Sequence, residues 1–246
     1  MPRTLLDVLR LDFPHLADHE AAVRTGKVRV DRVVRLNPAF RVRPGAHVAV
    51  ADDQSLRGEA KLRAAIERFD VAVAGRVALD VGASAGGFTR VLLECGAARV
   101  YAVDAGHGQL LGSLRQDPRV VNLEATNLGV LTTKHVPDPI ELFTVDVSYL
   151  ALSAAVEQLG RVRCAAGAHL VGLVKPMFEL RLAEAPDDDE SVARALARAE
   201  AGITREGWEV LGAMDSPVRG AHGAREMLVF ARRGVEGVTP TGDASR

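Results

Sequence analysis

Four chargeable residues stand where an α/β chain puts its chemistry: Lys61, Asp146, Lys175 and Glu226. Asp146 follows the apolar run Phe143-Thr144-Val145. Lys175 follows Leu170-Val171-Gly172-Leu173-Val174 and precedes Pro176, which ends a strand. Glu226 precedes Met227-Leu228-Val229-Phe230, and Lys61 lies on a stretch with helical spacing. In an open α/β sheet the carboxyl ends of the strands face the ligand crevice, so Asp146 and Lys175 are expected side by side in it. Taken singly, each is equally well a surface charge where a strand meets water. Taken together, two lysines and two carboxylates suit chemistry on a hydroxyl. An alcohol is a poor nucleophile at neutral pH and needs its proton removed or its oxygen oriented. A lysine does this when burial and a second ammonium depress its pKa, and carboxylates hold the ammonium groups in place.

A second set of residues points to what would react with that hydroxyl. Asp80-Val81-Gly82-Ala83-Ser84-Ala85-Gly86-Gly87-Phe88 joins an apolar strand to a helix. Glycines there let the backbone turn tightly and approach a ligand, and the helix N-terminus adds free N–H donors. A nicotinamide dinucleotide site prefers Gly-x-Gly-x-x-Gly. Here Ser84 stands at the second glycine, and the acid Asp80 directly precedes the turn, where it would repel a pyrophosphate. Such an acid suits a cationic methionine moiety or a bridging water. Asp104 closes the next strand, where a carboxylate accepts from ribose hydroxyls. The set fits an adenosyl ligand without phosphate; the plainer alternative is a strand–helix turn that binds nothing.

The elements that position these residues can be read from periodicity. Strands are predicted over 77–81, 99–104, 142–147, 169–174 and 227–231, and helices over 61–69, 88–95 and 189–206. Alternating strands and helices predict a parallel sheet covered on both faces. Residues 1–51 form a smaller unit. They carry two helices (an apolar stripe closed by Pro14, then 17–25 ended by Gly26), an exposed strand at Val28 and Val30, a Pro44-Gly45 turn and a strand at 47–50. Residues 52–60 are expected to be a linker, 61–233 the α/β domain, and 234–246 a disordered tail.

Of the 246 residues, 48% are hydrophobic and 26% charged, with net charge −1, which describes an ordinary globular protein rather than a polyanion binder throughout. Charge is uneven, however: Arg24, Lys27, Arg29, Arg32, Arg35, Arg41 and Arg43 face only Asp31 in that stretch, a local basic patch. Cys95 and Cys164 are expected to be buried free thiols in a reducing cytoplasm. No apolar run approaches the about 20 residues of a membrane span, and the N-terminus has no signal-peptide core, so a cytoplasmic protein without a membrane partner is expected.

The stretches 80–88, 101–110 (Tyr-Ala-Val-Asp-Ala-Gly-His-Gly-Gln-Leu), 114–120, 145–149 (Val-Asp-Val-Ser-Tyr) and 174–179 (Val-Lys-Pro-Met-Phe-Glu) resemble the TlyA group of FtsJ-like methyltransferases. The resemblance covers almost the whole chain. It implies an S4-type RNA-binding module, small and α+β, ahead of a Rossmann-like S-adenosylmethionine methyltransferase sheet. It implies ribose 2′-O-methylation of ribosomal RNA, alone or in ribosomal subunits. The family's Lys-Asp-Lys-Glu tetrad falls on Lys61, Asp146, Lys175 and Glu226, and Arg57-Gly58 matches its lead-in. Cofactor contacts fall on Asp80, Gly82, Ser84, Gly86, Gly87, Phe88, Asp104, Asn127 and Asp146, with no metal. A small-molecule substrate is the alternative. It is motivated by the acidic second helix (Ala17-Asp18-His19-Glu20) and by the acidic run 183–190, which would repel phosphate if it rimmed the site and otherwise is a solvated loop and helix start.

Overall fold

The computed structural model describes residues 3–14, 16, 18–31, 33–46, 48–50, 53–220 and 223–234. The N-terminal unit opens with β1 (Arg3–Thr4) and α1 (Leu5–Asp12). Thr4 and Asp7 cap the start of α1 reciprocally, satisfying N–H groups that have no partner inside the helix. Then come α2 (His19–Arg24), capped by Asp18, and the strands β2 (Val28–Val30), β3 (Val33–Val34), β4 (Arg41–Val42) and β5 (Val48–Val50). β3, β2 and β5 form an antiparallel sheet in that order, and β1 pairs with β4.

Two expectations change here. The β2 strand is not exposed: Val28 and Val30 are buried with Leu5, Leu9, Val23 and Val42, and Arg29 between them is half-buried on the other face. Strands β1, β3 and β4 escape the sequence because two residues cannot display an alternation. The start of the second predicted helix at Ala17, and Arg32 of the basic stretch, lie outside the described residues.

The expected linker is helical. Helix α3 (Asp53–Phe69) runs from the end of the small unit into the α/β domain and seats Leu62 and Ala65 in its core. Gly58 lets α3 press on the next helix: a Cβ there would stand 3.4 Å from the Gly87 Cα.

The rest alternates. In order come β6 (Val77–Val81), α4 (Gly87–Glu94), β7 (Arg99–Val103), α5 (Gly112–Arg115), β8 (Val120–Leu123) and β9 (Ile140–Val145). They are followed by α6 (Leu152–Leu159), β10 (Cys164–Val174), α7 (Pro176–Leu180), α8 (Asp189–Arg205), β11 (Trp208–Asp215) and β12 (Met227–Arg233). The seven strands lie in the order β11-β12-β10-β9-β6-β7-β8. Five pair with one another in parallel; β12 alone runs the opposite way, antiparallel to both β10 and β11, so the parallel expectation fails at that edge. Strand β11 went unpredicted because its burial pattern alternates weakly at a sheet edge.

Neighbouring strand residues face opposite sides, so Leu79 and Phe143 pack with α6 and α8 while Ala78 and Leu142 pack with α3 and α4. Both cysteines are free, but each is half-buried rather than fully buried. Among the described residues no helix is long and apolar enough to cross a membrane. The expected disordered tail lies outside the described residues from 235 onward.

Candidate active site

The chain leaves β6 toward β7 on one side of the sheet and returns through β9 on the other. Between the carboxyl ends of β6 and β9 lies the crevice that such a reversal opens. Gly82 makes it narrow. Its φ is +85°, and a Cβ there would sit 2.1 Å from the Asp146 carbonyl oxygen. The Asp146 N–H donates to the Val81 carbonyl at 2.9 Å, locking the two strand ends together.

Beyond Gly82 the turn is organised around Asp104. Its Oδ2 accepts from the Ser84 N–H at 2.8 Å and its Oδ1 from the Gly106 N–H at 2.7 Å. Glu124 holds the facing loop, accepting from the Gln109 and Leu110 N–H groups and pairing with Arg115 at 2.7 Å. Burial disfavours its charge, yet these bonds and one from Asn122 hold its carboxyl below the ordinary range. Asp104, Gly106, Gln109, Ser84 and Tyr149 line a recess of 340 Å³.

Three expected cofactor residues sit elsewhere. Asp80 is 1% exposed, and its two oxygens accept from Thr89 Oγ1 at 2.6 Å and Thr144 Oγ1 at 2.9 Å, beneath the crevice rather than in its wall. Burial pushes its carboxyl up to about 6 against the threonine hydrogen bonds. Gly86 is needed for packing: a Cβ there would stand 2.2 Å from Leu114 Cδ1 and 2.8 Å from Leu110 Cδ1. Asn127 is exposed and spends its side-chain oxygen on the Gly129 N–H, capping a short 3₁₀ turn.

The tetrad does come together, from four separate elements. Lys61 on α3 reaches Glu226 Oε2 at 2.7 Å and Asp146 Oδ2 at 3.8 Å. Lys175, at the end of β10, reaches Asp146 Oδ1 at 2.7 Å. Glu226 joins from the start of β12, because an antiparallel strand begins at the edge where its parallel neighbours end. Lys61 and Glu226 are buried, while Asp146 and Lys175 keep a side toward the opening. Gly220 lets the backbone lie against the Glu226 carboxylate, since a Cβ there would come 2.2 Å from Oε1.

Lys61, Phe88, Asp146, Lys175, Met177 and Glu226 help to line a cleft of 550 Å³, with Gly87 and Arg57 at its wall. The cleft and the recess share Gly82, Ser84, Asp146 and Ser148, so they adjoin at the crevice. Ser148 is the residue that sequence reasoning missed: its Oγ accepts from Lys175 Nζ at 2.7 Å. The signal was its place two residues beyond Asp146.

The acidic run is largely paired. Asp187 bonds Arg219 at 2.6 Å, Asp188 caps α8 through the Ser191 N–H at 2.7 Å, and Asp189 bonds Arg225 at 2.6 Å. Only its beginning, Ala183 to Ala185, reaches the cleft wall, bringing one acid, Glu184. The basic stretch is also partly engaged. Arg24 pairs with Glu20 and Arg43 with Asp31, Arg35 stacks on Phe40, and the Arg29 guanidinium donates to the Gln109 carbonyl of the α/β domain.

The FtsJ-like methyltransferase family model matches residues 55–233. The chain is 39% identical over 220 residues to the 16S/23S rRNA (cytidine-2′-O)-methyltransferase TlyA of Mycobacterium tuberculosis, covering 85% of this chain and 81% of that protein. A solved candidate hemolysin from Streptococcus thermophilus superimposes with TM-score 0.69 at 29% identity, over 95% of this chain and 90% of that one. An S-adenosylmethionine-dependent methyltransferase from Mesorhizobium loti shares the fold with TM-score 0.50 at 17% identity, over 69% of this chain and 96% of that one.

Proposed function

Since the chain belongs to the FtsJ-like methyltransferase family, we propose that it methylates a ribose 2′-hydroxyl of ribosomal RNA with S-adenosylmethionine as donor, acting in the cytoplasm. The observation that carries this reading is the continuous ion-pair chain Glu226–Lys61–Asp146–Lys175 at the junction of the recess and the cleft.

The recess fits the adenosyl group in chemistry. Each Asp104 oxygen accepts one backbone N–H and keeps a second lone pair for a ribose hydroxyl. Gly82, Ser84, Gly87 and Phe88 would hold the donor along the crevice, with Asp146 at its end. Asp80 and Gly86 would act beneath them by fixing the turn. When bound, the donor supplies a methyl carbon already activated by a sulfonium.

What remains is positioning and a proton. Lys175 in its neutral form takes the hydroxyl proton onto Nζ as the oxygen attacks, and releases it toward the open mouth of the cleft. Asp146 orients Lys175 through Oδ1 and stabilises the ammonium that forms. Glu226 and Lys61 anchor Asp146 from the buried side. Ribosomal RNA as the acceptor rests on the likeness to TlyA and on Arg57 in the cleft wall, a cation suited to phosphate. Residues 1–51 are read as an S4-type module that grips the RNA backbone through exposed cations such as Arg41.

The test is transfer of labelled methyl from S-adenosylmethionine to unmethylated small and large ribosomal subunits. Label in RNA with the natural chain, and none with Lys175→Ala at nearly unchanged donor affinity, is the expected result. Undiminished turnover in Lys175→Ala would remove the proton-acceptor role. Absence of label despite donor binding would redirect the reading to a small-molecule acceptor.

A further inference from the structure

We propose that Ser148 is a positioning residue that aims the Lys175 lone pair at the substrate hydroxyl. The inference rests on the reading of Lys175 as proton acceptor.

A neutral lysine amine has two N–H bonds and one lone pair, arranged tetrahedrally. Lys175 Nζ has two acceptors at 2.7 Å, Asp146 Oδ1 and Ser148 Oγ. With both N–H bonds directed at these oxygens, the lone pair is left for the cleft. Remove one acceptor and the amine rotates about its last bond, so that an N–H often faces the substrate in place of the lone pair. A base aimed in advance avoids that search, and orientation of this kind carries much of an enzymatic rate.

The local fold explains how Ser148 reaches this place. Asp146 and Ser148 follow the end of β9, separated by the buried Val147. Two residues apart in the segment that leaves β9, they present both oxygens to the same Nζ. Ser148 is also one of the few residues common to the walls of the cleft and the recess, so Nζ is held where the two meet. The short helix α7 begins at Pro176 and fixes the other end of the lysine backbone. Glu179 on α7 accepts from the Ser153 N–H at 3.2 Å and its hydroxyl at 2.9 Å, so Lys175 cannot drift from Ser148 by movement of α7.

The substitution Ser148→Ala tests this, with Ser148→Thr as the conservative control. In the alanine variant kcat is expected to fall about tenfold or more, with KM for RNA and donor affinity by calorimetry within about twofold. Serine oxygen accepts more strongly from an ammonium than from an amine. Its loss should therefore move the acid limb of the kcat–pH profile downward. Threonine, which keeps the hydroxyl, should recover most of kcat. Natural kcat in Ser148→Ala would overturn the proposal. So would a reduced kcat with an unmoved acid limb and intact donor affinity, the signature of a merely structural role. Measuring Lys175→Ala alongside keeps the two readings apart. Turnover in that variant defeats the proton-acceptor reading itself. An inactive Lys175→Ala beside a normal Ser148→Ala defeats only the role of Ser148.

Discussion

Replacing Gly82 by alanine should separate the two strand ends that carry the reactive groups. The added Cβ would lie 2.1 Å from the Asp146 carbonyl oxygen and 2.8 Å from its carbonyl carbon. Relief to van der Waals contact needs a displacement of about 1 Å, since non-bonded carbon is comfortable only beyond about 3.5 Å and part of the clash relaxes elsewhere. Both partners are backbone, so no side-chain rotation absorbs it. The residue also holds φ +85°, where a Cβ adds about 1–2 kcal/mol of strain.

Asp146 is bonded to Lys175 at 2.7 Å and lies 3.8 Å from Lys61. A shift of about 1 Å takes the first contact out of hydrogen-bond range and misplaces the base by an amount that typically lowers a rate about 100-fold. Steady-state methyl transfer with Gly82→Ala should show that loss in kcat, and thermal melting should show a decrease of several degrees. Donor affinity should weaken as well, since Gly82 lines the recess. A folded Gly82→Ala with kcat within threefold of the natural chain would refute the argument that this contact sets the site.

Three further outcomes are expected. Gly86→Val should lower the melting temperature by driving Leu110 and Leu114 apart, and adding Leu114→Ala should recover part of the loss; melting scans of both variants check this. Asp80, held near 6 in the fold against about 3.9 unfolded, should stabilise the protein fully below pH about 4, with that contribution lost as pH rises through 6. Urea titrations at successive pH values should show the decline in the natural chain and not in Asp80→Asn. Arg41→Glu should weaken RNA binding uniformly and flatten its salt dependence, leaving donor affinity unchanged; an unaltered salt slope would count against RNA contact by the N-terminal unit.

Most of the α/β domain was legible because its strands are buried on both faces and its helices carry apolar stripes, both of which write themselves into short stretches of chain. The positions of Asp146 and Lys175 were legible for a related reason. A polar residue that ends an apolar run stands at a strand terminus, and strand termini are where an α/β sheet keeps its ligands; Lys61, inside a helix, carries no such signal, and the four were joined as one set by the family resemblance. The antiparallel turn of β12 was not legible, since strand direction depends on which neighbour is reached and not on local pattern. Nor was the helix over residues expected as a linker: its polar opening reads as loop, and a polar stretch becomes helical once an apolar stretch such as Leu62 to Phe69 anchors its far end.

Residue type alone also says little about what an individual side chain touches. Asp80, Gly86 and Asn127 have the types of ligand residues, but the fold commits them to Thr89 and Thr144, to the space beside Leu114, and to the Gly129 N–H. Conversely Ser148, a residue type found everywhere, becomes distinctive only 2.7 Å from Lys175. The amino-acid sequence by itself determined the main strands and helices of the α/β domain and the polar residues beside them, because hydrophobic period and turn chemistry are local properties. Which polar atoms finally face one another was decided only by tertiary structure, because partners 27 to 165 residues apart, such as Ser148 with Lys175 and Lys61 with Glu226, meet through packing that no local stretch encodes.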